Sequence, residues 1–259
     1  MTTPRALVRR PSPRLAEGLV THIDRSPVDL DLAMHQWEGY VAALQDAGWL
    51  TVEVEPADDC PDGVFVEDTV VVYGGLAVLA NPGAEARRPE VPGTAEVLEE
   101  HGYTLVEIEG PGTLDGGDVL KHDGTVWVGV GGRTDEEGAR QLREHLTPLG
   151  ADVITVPQTR VLHLKSAVTA LPDGTVVGHP PRVQDPSVWG DRFLAVPEES
   201  GAHVVLLGGD RVLMSADAPR SARLFRDRGL EVVEVDISQF EKLEGCVTCL
   251  SVRLRTLPG

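Results

Sequence analysis

Apolar positions along this chain follow two rhythms. Leu30, Met34, Trp37, Val41 and Leu44 recur at three- and four-residue steps, which predicts a helix with one apolar face ending near Gly48. Elsewhere the apolar residues form short runs bounded by Gly, Asp and Pro. These predict strands at 6–9, 50–54, 69–72, 76–79, 104–108, 119–120, 125–128, 153–156, 175–178, 204–207 and 212–214, with another running up to Ala170. Shorter helical patterns fall at 15–20, 95–100 and 221–228. One more opens at Thr134-Asp135-Glu136-Glu137, which reads as a capping box, and runs through Leu142 and Leu146 to a stop at Gly150.

The order of these elements repeats: loop, strand, turn, strand, helix, strand. The turns at Gly74-Gly75, Asp123-Gly124 and Asp173-Gly174 lie roughly fifty residues apart, a spacing typical of propellers and related arrays. A last repeat, around Gly208-Gly209-Asp210, reads as shorter. The apolar run after Cys249 has no strand partner downstream, and the strand at Ala6 has none upstream. Pairing the two would close a ring of about five modules and remove two exposed edges. The expected fold is therefore α/β: a single five-bladed α/β-propeller domain over 1–259, closed by its N- and C-terminal strands. A doubly wound sheet is disfavoured because every module contains a hairpin.

Composition narrows the partners. Lys and Arg number 23 against 41 Asp and Glu, a formal net charge of −18, so nucleic acid and anionic membranes are poor partners and a small cationic molecule is a compatible one. The first residues lack the apolar core of a signal peptide, and no apolar run approaches membrane-spanning length. Three cysteines give no disulfide framework. The expected setting is the reduced cytoplasm. Oligomeric state is not fixed by the sequence, which leaves room for a homodimer.

Each of several modules carries a polar group beside its first strand: Asp62, Glu67 and Asp68; Asp115 and Asp118; His163; and Cys249. Taken singly, a Cys is most often a small buried hydrophobe, a His a bonded structural residue, and an Asp in a Gly-rich turn local backbone chemistry. Their recurrence at equivalent positions changes the balance, because a ring would bring them together on one axis. Cys246-Val247-Thr248-Cys249 also fits C-x-x-C, but a strand follows rather than the helix of a thioredoxin-like site, and no second ligand pair supports zinc.

Four motifs together resemble the dimethylarginine dimethylaminohydrolase family of the guanidino-group-modifying superfamily. They are Cys60-Pro61-Asp62 with Val64-Phe65-Val66-Glu67-Asp68, Leu114-Asp115-Gly116-Gly117-Asp118, Leu162-His163-Leu164-Lys165-Ser166 and Thr248-Cys249 with Ser251-Val252. They occur in the family's order across nearly the whole chain. The resemblance implies a five-bladed propeller and hydrolysis of methylated arginine to citrulline. It makes Cys249 the nucleophile, His163 the general acid and then base, and Asp115 the residue that holds His163 and bonds the guanidinium. It puts Asp62 and Asp68 around the substrate cation and Glu67 at its amino-acid end. Arg87 and Arg133 would take its carboxylate. Leu243, Glu244 and Val20 would form the lip, with Leu19 the alternative to Val20. No cofactor and no functional metal are expected.

The nearest rival is arginine deiminase chemistry with nearly the same residues, although such enzymes usually carry helical insertions for which this chain has no room. A non-catalytic binding protein on the same fold would be suspected if the thiol, imidazole or acid were missing. A thiol redox protein would require Cys246, and a cysteine protease lacks its motifs here.

Overall fold

Hairpin turns set the framework. Asp123 (φ 46°) and Gly124 (φ 79°) take successive left-handed conformations, as type I′ turns require, and the strands they join pair from His122–Thr125 back to Val119–Val128. The computed structural model describes residues 3–255 and arranges them as five three-stranded sheets, the blades of an α/β-propeller. The second blade holds the hairpin β3 (Val70–Tyr73) and β4 (Leu76–Leu79), helix α2 (Val91–Glu100) and β5 (Thr104–Glu107). Numbering starts in the first blade with β1 (Arg5–Val8), α1 (Leu30–Asp46) and β2 (Leu50–Glu53). The third contains β6 (Val119–His122), β7 (Thr125–Val130), α3 (Glu136–Leu146) and β8 (Asp152–Pro157). The fourth is β9 (Val168–Ala170), β10 (Val176–Gly178) and β11 (Phe193–Ala195). The fifth is β12 (Val204–Gly208), β13 (Arg211–Ser215), α4 (Pro219–Asp227) and β14 (Glu231–Val235). The four-residue helix α5 (Ser238–Glu241) then leads to β15 (Val252–Leu254).

Every blade has the same pattern: its inner strand is antiparallel to the middle strand, and the outer strand is parallel to the middle one. A parallel outer strand needs a crossover, which is why α1 to α4 each lie between the middle and outer strands of their blades. In the first blade the inner strand comes from the other end of the chain. β15 pairs antiparallel with β1 through Arg5–Leu254, Ala6–Arg253 and Leu7–Val252, as the unpartnered strands at 6–9 and after Cys249 had implied. Inner strands of neighbouring blades meet, β15 against β3 and β6 against β9.

Three expectations change. The final repeat is a full blade, because the alternating Glu231–Val235 supplies its third strand beside β13. The fourth is the reduced one: a 3-10 segment, Pro186–Arg192, replaces the α-helix, and its Trp189 stacks on Phe193 at 6.3 Å. The pattern at 15–20 yields only the 3-10 turn Leu15–Glu17, broken at Gly18. At α3 the cap is Asp135, whose carboxylate accepts the Gly138 N–H at 2.7 Å. Thr134, first residue of the capping-box pattern, is fully buried and its hydroxyl serves an acidic loop described below.

Helix α1 carries the floor of the site. Its Ala33, Trp37, Tyr40 and Leu44 are buried in one cluster with Leu207, Leu213 and Phe240 of the neighbouring region, and Cys246, Cys249 and Leu250 pack into the same cluster. Tyr40 Oη meets Ser251 Oγ at 2.7 Å, and Trp49 Nε1 donates to Leu207 O at 3.0 Å, so the polar tips of these large rings are satisfied inside it. Burial pushes the Tyr40 phenol up to about 12.

Candidate active site

A single tight turn precedes the inner strand of each blade, and four of these five turns carry a reactive side chain. Asp68 lies in the 3-10 turn Val66–Thr69 before β3. Asp115 is the cap of Gly116–Asp118 before β6, and His163 is the cap of Leu164–Ser166 before β9. Cys249 ends a turn in which its N–H donates to Cys246 O at 3.0 Å, just ahead of β15. The turn Ser200–Ala202 before β12 is the exception: its cap, Glu199, lines a neighbouring larger cavity and not the one that holds Cys249 and His163. The first three turns pack directly on one another. Glycine permits this: a Cβ on Gly116 would stand 2.1 Å from Glu67 O, and one on Gly117 2.5 Å from both Asp68 Oδ1 and His163 Nδ1.

The result is an imidazole between two carboxylates. His163 Nε2 lies 3.0 Å from Asp115 Oδ2, and Nδ1 lies 3.6 Å from Asp68 Oδ1. Burial disfavours the imidazolium, but Asp68, Asp115 and Asp118 outweigh it and raise His163 to about 9. Burial likewise opposes ionisation of Asp68, yet His163 and Arg87 hold it at about 2. Asp68 also accepts Gly117 N at 2.9 Å and Arg87 Nη1 at 2.5 Å, and Arg87 reaches Glu90 at 2.8 Å. Asp115 spends neither oxygen on its own turn: Oδ1 accepts Gly83 N at 2.9 Å while Oδ2 faces the imidazole. Asp118 accepts Leu164 N at 2.9 Å and the Thr134 hydroxyl at 2.7 Å, and that hydroxyl in turn accepts Asp115 N at 3.1 Å. Burial, only partly offset by His163 and these bonds, moves Asp118 up to about 6.

Cys249 and His163 line one cavity with Asp62, Asp68, Arg87 and Arg133. Phe65 and Leu162 form its apolar walls, and Leu19, Leu243 and Glu244 its lip. It holds only about 10 Å³, less than one water molecule needs, so a ligand must displace part of the lip. The lip segment is tied down by carboxylates. Leu19 N donates to Asp62 at 3.0 Å, and Thr21 N and His22 N donate to Glu244 at 2.6 and 2.8 Å. Glu244 itself has φ 61°, a left-handed conformation rare for this residue type. A larger cavity of about 310 Å³ shares Leu162, Glu244 and Gly245 with the first and is lined by Glu199, Asp217 and Glu241.

The two thiols of the C-x-x-C turn touch, Sγ to Sγ at 3.3 Å, and Cys246 N–H points at Cys249 Sγ at 3.4 Å. Their contact drives the two apart: it draws Cys246 down to about 5 and, together with burial, holds Cys249 well above the ordinary thiol range. These are the two ends of one shared proton. Asp68, Asp115 and His163 also place one ligand atom each within 4.8 Å of one another, the arrangement that would hold a metal ion if one were present.

Most site residues expected from the sequence meet here, with three differences. Glu67 does not line the cavity. Its carboxylate turns to the other side, to Lys165 at 2.7 Å and to Arg253, while its N–H donates to Cys249 O at 3.2 Å. Val20 packs on the hydrophobic cluster, and Leu19 takes the lip position. Asp115 is wholly buried behind His163 rather than on the cavity wall. Sequence reasoning gave no role to Arg253, Phe65 or Leu162, and it took Thr134 for a helix cap. Arg253 alternates with the buried Val252 and Leu254 on β15, and that alternation was its one signal.

A family model described as arginine deiminase matches residues 52–192. The dimethylarginine dimethylaminohydrolase of Streptomyces coelicolor is 62% identical over 257 residues, 99% of each chain. The chain belongs to the dimethylarginine dimethylaminohydrolase family. Family members of known structure share its fold throughout. The Pseudomonas aeruginosa protein, solved as a mutant complexed with citrulline, superposes with a TM-score of 0.91 at 31% identity, covering 98% of this chain and 100% of the other. Another structure, a dimethylarginine dimethylaminohydrolase variant solved as an adduct with S-methyl-L-thiocitrulline, gives the same TM-score at 30% identity and the same coverage. No helix among the described residues is long and apolar enough to cross a membrane.

Proposed function

We propose that this enzyme hydrolyses methylated arginine, releasing citrulline and dimethylamine or methylamine through a covalent thiouronium intermediate on Cys249. The observation that carries the reading is a thiol and an imidazolium flanked by carboxylates on one small cavity, in a chain 62% identical to a dimethylarginine dimethylaminohydrolase. A guanidinium delocalises its charge and is a poor electrophile, so attack on its central carbon needs a thiolate and a protonated leaving amine. Asp62 and Asp68 receive the cation, and its charge draws the shared proton off Cys249. Cys249 Sγ bonds to the guanidinium carbon, and His163 gives its proton to the departing amine. The imidazole then takes a proton from water as that water attacks the thiouronium carbon, and the thiolate leaves. Asp115 keeps His163 oriented and charged. Arg133 takes the substrate carboxylate, since a guanidinium fork matches a carboxylate, while the Arg87 donors are spent on Asp68, Glu90 and backbone carbonyls. Leu19, Leu243 and Glu244 close over the bound molecule.

The blades act as one unit in this reading, so we treat 1–259 as a single domain. Three free, buried cysteines suit a reducing cytoplasm. The deciding experiment is citrulline release from asymmetric dimethylarginine, monomethylarginine and arginine, with Cys249→Ser as control. Turnover of the methylated substrates, little of arginine and a dead variant are expected. Preference for arginine would move the activity to the deiminase reaction that the matching family model names, and an active Cys249→Ser would sink the mechanism.

A further inference from the structure

The hydrolytic mechanism leaves one thiol without work. Cys246 is 2% exposed and Cys249 6%, and their sulfurs are already in contact at 3.3 Å. The turn that joins them is closed by the Cys249 N–H to Cys246 O bond at 3.0 Å. Such a turn keeps its end Cα atoms within about 7 Å, and a disulfide spans about 4.4–6.8 Å between Cα atoms. With an S–S bond of about 2.05 Å, the sulfurs need to close by only about 1.3 Å. Thr248 Oγ1, 3.2 Å from Cys246 Sγ, fixes the second sulfur on the side facing the first.

We propose that Cys246 and Cys249 form a site of reversible oxidative modification, in which Cys246 resolves a hydroperoxide-oxidised Cys249 as an intramolecular disulfide. This rests on the reading of Cys249 as the cavity-facing nucleophile. The shared proton passes across the 3.3 Å contact to Cys246, and the Cys249 thiolate so formed attacks the distal oxygen of hydrogen peroxide. An S–O bond forms, the O–O bond breaks, and the sulfur gives up two electrons to become a sulfenic acid while hydroxide leaves and is protonated to water. The Cys246 sulfur then attacks the Cys249 sulfur, the S–S bond forms, the S–O bond breaks, and the departing hydroxide takes the Cys246 proton as a second water. Cys249 lines the cavity and Cys246 does not, so peroxide that enters as the lip moves meets the Cys249 sulfur first. The order of events follows: the front sulfur is oxidised and the rear one resolves it before a second peroxide drives it to the irreversible sulfinic acid.

The test treats reduced wild type, Cys246→Ser, Cys246→Ala and Cys60→Ser with a small excess of hydrogen peroxide. Citrulline release and the mass of the peptide holding residues 246–249 are followed before and after dithiothreitol. Wild type and Cys60→Ser should lose activity, show a peptide lighter by two hydrogens, and recover fully on reduction. Both Cys246 variants should gain oxygen at Cys249 and stay inactive. An irreversible loss in wild type equal to that of the Cys246 variants, with no lighter peptide, would overturn the proposal. A lighter peptide with citrulline release undiminished would support the modification and sink the assignment of Cys249 as nucleophile.

Discussion

His163 owes its charge to its neighbours, and that dependence is measurable. With a protonation value near 9, the imidazole is still an acid at neutral pH, as protonation of a leaving amine demands. The alkaline limb of kcat should therefore fall near pH 9. Asp115→Asn removes one of the carboxylates that raise His163, so the limb should shift toward neutral pH while the acidic side changes less; a pH–rate profile of the variant left in place would reject this role for Asp115. The folding contribution has the same sign: it is complete below the ordinary imidazole value of 6.5 and is lost as pH rises through about 9, because the native state holds the proton longer. At this scale the sequence was partly legible. Asp68, Asp115, His163 and Cys249 stood out by type and by recurrence beside inner strands. Glu67 did not reveal its direction, since adjacent positions in a 3-10 turn point different ways, and only Lys165 and Arg253 across the axis show which side its carboxylate takes.

The tight turns before the inner strands are the elements that build the site, and their glycines decide how closely they approach. Gly117→Ala would push a methyl group toward Asp68 and His163, both held by other bonds. A displacement of about 1 Å at a catalytic group costs on the order of 100-fold in rate, so kcat for citrulline release should drop by about that factor while the cooperative unfolding transition persists. Activity within a few-fold of wild type would mean that the turn yields more easily than its packing implies. These turns were invisible to periodicity, being too short for a helical rhythm, and the sequence reported them only as Gly-rich acidic loops. Strands and α-helices fared better: Leu76–Leu79 matches its apolar run residue for residue, and of the periodic face of Leu30–Asp46, Trp37 and Leu44 are buried while Leu30, Met34 and Val41 pack half-buried on the same cluster. The fourth blade was harder, because Pro186–Arg192 crosses over without a helical pattern. Thr134 misled because its spacing to Glu137 mimics a capping box, whereas the neighbouring carboxylate of Asp135 is the stronger cap and leaves the hydroxyl for Asp118.

For the whole molecule, charge and connectivity matter most. A net charge of −18, with Asp217 and Glu241 in the cavity next to the site beside the Arg182–Glu199 pair, draws small cations toward the molecule. KM for a methylarginine should rise several-fold as salt increases from low to physiological ionic strength and beyond, with kcat nearly constant; a salt-independent KM would leave the acidity to solubility alone. The ring itself was legible because its two unpaired strands sit at opposite ends of the sequence and have only each other. That connectivity also has a consequence in time. A ribosome delivers Arg5–Val8 first and Val252–Leu254 last, so the first blade stays open through nearly all of synthesis. Cys249 emerges just ahead of the closing strand, after the turns that carry Asp68, Asp115 and His163. The sulfur proposed as nucleophile is thus made almost at the moment the chain gains the strand that closes the ring beside it.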